Sequence, residues 1–154
     1  MKKILGVLVA LALVFTFCGS ALAADKMLSA FKLKTGAGGE ITQAAFKDKK
    51  VMLVFSQMAC RQCRFEMEEL NAKADELKGK VFIVLVDMNT EAALKQYNEL
   101  YKLEVILDPD FSIPASFALM TTPATVVLDK TGKVSFEKVG YVRGTVDDLL
   151  KNLQ

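Results

Sequence analysis

The chain has 154 residues, 52% hydrophobic and 25% charged, with 20 Lys and Arg against 18 Asp and Glu, three Cys and no Trp or His. This length fits one compact domain with room for a sizeable core. The absence of histidine excludes Ser-His and Cys-His catalytic pairs, His-containing zinc sites and CxxCH haem attachment, which leaves Cys, carboxylates and backbone to run any chemistry.

In chain order, Met1-Lys2-Lys3 precedes an apolar run from Ile4 to Phe17, and Ala21-Leu22-Ala23 follows. A basic start, a short apolar stretch and a small-x-small site form the pattern of a secretory signal peptide over residues 1–23, ahead of a domain over 24–154. The run is shorter than the roughly 20 residues of a comfortable membrane span. An uncleaved N-terminal anchor is the alternative; lipidation at Cys18 fits poorly because bulky Phe17 stands directly before it. Cleavage after Ala23 removes Lys2 and Lys3, leaving basic and acidic residues equal in number. A neutral surface argues against nucleic acid as a partner. Cleavage also removes Cys18, and the remaining pair, Cys60 and Cys63, lies in an export context where disulfides form and persist.

Phe31 and Leu33 alternate with Lys32 and Lys34 as a short half-buried strand, Gly36-Ala37-Gly38-Gly39 supplies a turn, and Ile41 and Phe46 are expected to re-enter the core. Val51 to Phe55 is continuously apolar, the pattern of a central strand covered on both faces. From Cys60 the period becomes helical: Cys63, Met67, Leu70, Ala74 and Leu77 form one stripe. Glu69 and Lys73 are spaced as an i,i+4 pair, and Gly79 stands where a helix ends. Val81 to Val86 reads as a second buried strand, and Asn89 or Thr90 as the cap of a helix carrying Leu94, Tyr97, Leu100 and Tyr101. This alternation predicts a parallel sheet with right-handed crossovers. The stretch from Phe111 to Met120 allows a short helix. Pro123 opens a strand over Thr125 to Leu128, Asp129-Lys130-Thr131-Gly132 reads as a hairpin turn, and Val134 to Val139 returns. Thr145 is the expected cap of a last helix carrying Val146, Leu149, Leu150 and Leu153, with Asp148 near its positive end.

Cys60-Arg61-Gln62-Cys63 falls between the buried strand and the first helical turn. Unpaired N–H groups at a helix N-terminus favour a thiolate at Cys60, and Arg61 and Arg64 add positive charge that tunes it further. Cys63, one turn on, comes within bonding distance of the Cys60 sulfur. Thiol-disulfide exchange then has Cys60 as nucleophile, because it is nearer the helix end and solvent, and Cys63 as resolving thiol, because it lies on the buried stripe. A purely structural staple is the alternative, but a four-residue loop gives roughly 2 kcal/mol, against about 4.7 for a loop of about 100 residues. A soft-metal site for copper or zinc is another, but two thiolates without His or a second Cys pair make an incomplete ligand set, so no metal and no cofactor is expected.

At these residues the chain resembles the thioredoxin-like fold and, within it, the TlpA/ResA group of exported bacterial thiol-disulfide oxidoreductases. The likeness runs from about Phe31 to the C-terminus. It rests on the Val51 to Phe55 strand leading into Cys60-Arg61-Gln62-Cys63, on Val105-Ile106-Leu107-Asp108-Pro109-Asp110, on Thr122-Pro123-Ala124-Thr125, and on Asp129-Lys130-Thr131-Gly132-Lys133. The resemblance implies an α/β, thioredoxin-like fold with a central mixed β-sheet flanked by helices. It also implies a redox-active disulfide, a cis Pro123 facing the CxxC, and a Thr122 whose backbone meets a substrate chain. Glu66 falls where this group often carries a glutamate near the active site; i+3 from Cys63, its carboxylate could take the Cys63 proton, the alternative being a solvated helix-face charge. The implied partners are protein thiols or disulfides and an upstream redox partner, a membrane electron-transfer protein or an oxidase. The implied location is periplasmic or otherwise extracytoplasmic, and a monomer is expected. Ala59 stands where such proteins usually carry Trp, and Val54 where thioredoxin has a buried Asp. The missing aromatic at Ala59 keeps a non-catalytic binding module in view beside the oxidoreductase.

Overall fold

The computed structural model describes residues 26–87 and 90–154. The signal-peptide segment 1–23 and the candidate cap Asn89 lie outside these. Seven strands form one mixed sheet: β1 (Lys32–Thr35), β2 (Glu40–Thr42), β3 (Val51–Ser56), β4 (Val81–Leu85), β5 (Glu104–Leu107), β6 (Ala124–Leu128) and β7 (Val134–Val139), in the spatial order β2-β1-β5-β4-β3-β6-β7. The helices are α1 (Arg61–Asn71), α2 (Ala74–Leu77), α3 (Thr90–Leu100), α4 (Ser112–Ala115) and α5 (Thr145–Lys151), with a 3₁₀ turn over Gln43–Phe46. Among the described residues, no helix is long and apolar enough to cross a membrane.

The parallel part follows from the alternation read in the sequence: β3 pairs with β4 and β4 with β5, both parallel, while β6 joins β3 antiparallel and β7 joins β6. Every residue of β3, β4 and β6 is buried. Their continuous apolar runs reflect cover on both faces. On one face Met52, Val54 and Ile83 pack with Met67 and Leu70 of α1, Tyr97 of α3 and Leu149 of α5. On the other, Leu53, Phe55 and Val84 pack with Phe46, Ile113 and Phe117. Asp108, wholly buried, holds the entry to α4 by accepting from Ser112 N (2.9 Å), Ser112 Oγ (2.7 Å) and Ile113 N (2.8 Å). The β6–β7 hairpin turns through Gly132 at φ 84°, in the left-handed region where glycine carries no Cβ penalty.

Four local expectations are corrected. The stripe from Cys63 to Leu77 is buried throughout, but it belongs to two helices, the backbone turning at Ala72 and Lys73 before α2. Lys73 pairs with Asp147 of α5 in place of Glu69. Leu100, the last residue of α3, is 57% exposed, and Leu103, past the helix end, takes the buried place. The cap of α5 is Gly144, with φ 83° and no side-chain bond; Thr145 is the first helical residue, its hydroxyl donating to Val142 O.

Candidate active site

β3 delivers the chain to the C-terminal edge of the sheet, and α1 starts there. Cys60 is the N-cap of α1, extended at φ −84° and ψ 107°, and its Sγ accepts from Cys63 N at 3.1 Å. The sulfurs of Cys60 and Cys63 are bonded, with the Cα atoms 5.2 Å apart. Cys60 is half-buried beside exposed Ala59, whereas Cys63 has no exposed surface. The pair is therefore asymmetric, with one sulfur reachable and placed at the positive end of a helix, where a developing thiolate is stabilised.

The loop before β6 stands against this edge because β6 runs antiparallel to β3, with Phe55 opposite Ala124. The Thr122–Pro123 peptide bond is cis. Thr122 Oγ1 donates to Gln57 Oε1 at 3.0 Å, and Gln57 Nε2 donates to Val86 O at 3.2 Å, which ties the proline loop to the ends of β3 and β4. Gly140 N donates to Pro123 O at 2.8 Å, bringing the end of β7 to the same place.

Glu66 turns inward. One helical turn after Cys63 and on the same stripe, it is only 2% exposed; Oε1 accepts from Thr125 Oγ1 of β6 at 3.1 Å, and Oε2 has no hydrogen-bond partner. Lys138 of β7 lies directly opposite Thr125 in the ladder. Burial pushes the Glu66 carboxyl up to about 7, against the Thr125 hydroxyl and the Lys138 charge, which pull it down, while Glu69 adds to the rise. Desolvation wins because a single neutral donor and a half-buried lysine replace little of the lost hydration. A carboxyl near neutrality can both take and return a proton at working pH.

Arg61 and Arg64 are exposed on the first turn of α1. The Arg61 guanidinium lies 5.6 Å over the ring of Phe65, and Arg64 N donates to Cys60 O at 3.2 Å. Gln57, Lys138, the bond from Thr125 to Glu66 and the contact of Glu69 with Tyr141 are not foreseen in the sequence pattern. Glu69 Oε1 accepts from the Tyr141 hydroxyl and from Gly144 N, fastening the β7–α5 loop to α1; burial, and after it the bond to Glu69, pushes the Tyr141 phenol up to about 12. Thr125 left a usable signal, as the one hydroxyl inside the buried strand Ala124–Leu128. Among the described residues, no group of three or more Cys, Asp or Glu is arranged to hold a metal ion.

Comparison with known proteins agrees with this architecture. Residues 24–137 match the AhpC/TSA family. Thioredoxin-like protein YneN of Bacillus subtilis is 30% identical over 115 residues, which cover 71% of this chain and 68% of YneN. Thiol-disulfide oxidoreductase ResA of Bacillus thuringiensis is 30% identical over 121 residues, 75% of this chain and 70% of ResA. Among solved structures, the pneumococcal exposed lipoprotein thioredoxin Etrx1 aligns with a TM-score of 0.65 and 26% identity, covering 81% of this chain and 98% of Etrx1. StoA from Bacillus subtilis aligns with a TM-score of 0.65 and 20% identity over 84% of this chain and 99% of StoA, a likeness of fold. With a mixed sheet of this order, a cysteine pair at the start of α1 and these relatives, the chain belongs to the AhpC/TSA family and, within it, to the thioredoxin-like thiol-disulfide oxidoreductases of the ResA type.

Proposed function

We propose that this thiol-disulfide oxidoreductase exchanges electrons with protein thiols and disulfides, with Cys60 as nucleophile and Cys63 as resolving thiol. The asymmetry of the pair carries the reading: Cys60 is half-exposed at the helix N-cap, and Cys63 is wholly buried behind it. In the reducing direction the Cys60 thiolate attacks one sulfur of a substrate disulfide, forming a mixed disulfide and releasing the other sulfur as a thiolate. Cys63 gives its proton to the Glu66 carboxylate and attacks Cys60 Sγ, which releases the second substrate sulfur. Two electrons have then passed to the substrate, and the Cys60–Cys63 bond remains. Oxidation of a dithiol runs the same steps backwards.

Arg61, Arg64 and the end of α1 favour the Cys60 thiolate. Thr122 and the cis Pro123 form the platform for the substrate chain. Thr122 makes no backbone–backbone hydrogen bond among the described residues, which leaves its N–H and C=O available to an incoming strand. The pair needs an upstream partner, a membrane electron-transfer protein or an oxidase, to reset it after each turnover. Residues 1–23 act as an export signal, the domain over 24–154 works as an extracytoplasmic monomer, and a retained leader would tether it to the membrane.

Trapping tests the assignment. Cys63→Ser should accumulate mixed disulfides through Cys60, and Cys60→Ser should accumulate none. Wild-type protein without disulfide reductase or dithiol oxidase activity, together with a Cys63→Ser protein that captures no thiol partner, would reject it.

A further inference from the structure

Of the 20 basic residues, only Arg61, Arg64 and Arg143 are arginines. All three sit at the edge that carries the disulfide, two on the first turn of α1 and one in the β7–α5 loop, which begins beside Pro123. All three are exposed. Elsewhere several surface lysines pair with carboxylates, as in Lys26–Glu137, Lys34–Glu91, Lys73–Asp147 and Lys151–Asp148, and Lys49 and Lys50 donate to the backbone carbonyls of Ala45 and Gln154. Among the described residues, no arginine takes part in an ion pair.

Apolar surface lies among these charges. Met120 is 72% exposed, Val142 69%, Val139 51% and Phe65 37%. Phe65 is held under the Arg61 guanidinium, and it shares with Arg143, Tyr141, Ala72, Glu68 and Glu69 a surface recess of about 260 Å³. Glu68 and Glu69 both line this recess, Glu69 accepting from the Tyr141 hydroxyl and Gly144 N, and among the described residues neither forms an ion pair with an arginine. A guanidinium keeps its charge across the working pH range, is weakly hydrated, and binds carboxylates through two parallel N–H donors. Three such groups, none in an ion pair among the described residues and set around exposed apolar side chains, complement an acidic chain more closely than a basic or neutral one.

We propose that this face docks acidic polypeptide segments: the preferred partner carries Asp or Glu and an apolar residue beside its reactive cysteine, with carboxylates on Arg61 and Arg143 and the apolar side chain on Phe65 and Val142. The inference rests on the thiol-exchange reading of Cys60, and it specifies the partner of that same site. The test uses the reduced protein and three disulfide-linked peptides that differ only in flanking Glu, Ser or Lys residues. The exchange, in which protein dithiol and peptide disulfide become protein disulfide and two peptide thiols, is followed as a second-order rate constant. At about 0.02 M salt the Glu peptide should react about tenfold faster than the Lys peptide, with the Ser peptide between them. At about 0.5 M salt, where the screening length falls to about 4 Å, the ratio should shrink below about threefold.

Arg143→Glu should reverse the order of the charged peptides at low salt, and Arg143→Lys should keep the order with a smaller ratio. Equal rates for the three peptides at low salt overturn the docking inference while leaving thiol exchange in place. A preference that survives Arg143→Glu undiminished overturns it as well. Sedimentation in the same buffer addresses the other occupant of such a face: a dimer that dissociates on addition of the Glu peptide supports the proposal, and one that blocks all three peptides equally assigns the face to a second copy and overturns it. No exchange with any peptide rejects the reading of the cysteine pair itself, and the inference with it.

Discussion

Glu66→Gln isolates the buried carboxyl. In the unfolded chain Glu66 titrates at its ordinary value of 4.5, and in the fold at about 7. Below 4.5 the group is protonated in both states and costs nothing. As pH rises from 4.5 through about 7, the unfolded chain releases its proton first, the native state holds more protons, and stability falls. Above about 7 the full cost of ionising a desolvated carboxyl is present, about 3 kcal/mol at roughly 1.4 kcal/mol per tenfold of proton affinity. The glutamine keeps an oxygen to accept from Thr125 and adds an amide N–H₂ where Oε2 has no partner. Whatever that amide costs does not change with pH, so the difference between the two proteins reports the carboxyl alone. Urea unfolding of the oxidised proteins from about pH 4 to about pH 9 should show the variant gaining on wild type by about 3 kcal/mol, with the rise confined to the window between 4.5 and about 7. A difference constant to within about 1 kcal/mol across that window would refute the assignment, because the carboxyl would then titrate alike in both states.

The same substitution should lengthen the lifetime of a mixed disulfide on Cys60 about 10²-fold or more, measured by rapid quench, because it removes the carboxylate proposed to accept the Cys63 proton. Thr125→Val removes the hydroxyl that holds the Glu66 carboxyl down; the midpoint of that acceptor in a pH–rate profile should move above about 7. Asp108→Ala strips three short hydrogen bonds from the entry to α4 and should cost about 2–4 kcal/mol in chemical denaturation. Tyr97→Phe leaves the buried Ser56 hydroxyl, 3.1 Å from the phenol oxygen, without that partner, and should cost about 1 kcal/mol in the same assay.

The parts of the fold that were legible in the sequence are those where local pattern and tertiary environment agree. Val51 to Phe55 and Val81 to Val86 are apolar without interruption because a sheet interior covered on both faces imposes no alternation. The change to a helical period at Cys60 marks the helix start because α1 has one buried stripe, and that stripe continues to Leu77 even though the backbone breaks into two helices. Elements whose existence depends on a neighbour were harder to read. Three-residue β2 exists by pairing Glu40 to Thr42 with β1, and β5 is held by parallel bonding to β4 together with β1 on its other side. At the end of α3, Leu100 fits the periodic stripe, but the helix runs past the edge of the core and Leu103 fills the place from the following turn.

For the site, the cysteine pair was legible because spacing and helix position are local properties, whereas the state of Glu66 was not. The stripe does signal its burial: 63, 66, 67 and 70 follow the i, i+3, i+4, i+7 pattern, so a glutamate at 66 must face the sheet. What it meets there comes from Thr125 and Lys138, about 60 and 70 positions away in sequence, joined across β6 and β7 by the ladder that sets them opposite each other. The balance among those groups fixes the carboxyl near neutrality: stronger pairing to Lys138 would hold it ionised, and loss of the Thr125 hydroxyl would hold it protonated over more of the working range. The helix spacing sets Glu66 one turn from Cys63, and the register of a distant hairpin sets the environment of the carboxyl proposed as its proton acceptor. Changes at Thr125 or Lys138, neither adjacent to a cysteine in sequence, should therefore move the pH at which Cys63 is deprotonated while leaving the exposure of Cys60 as it is.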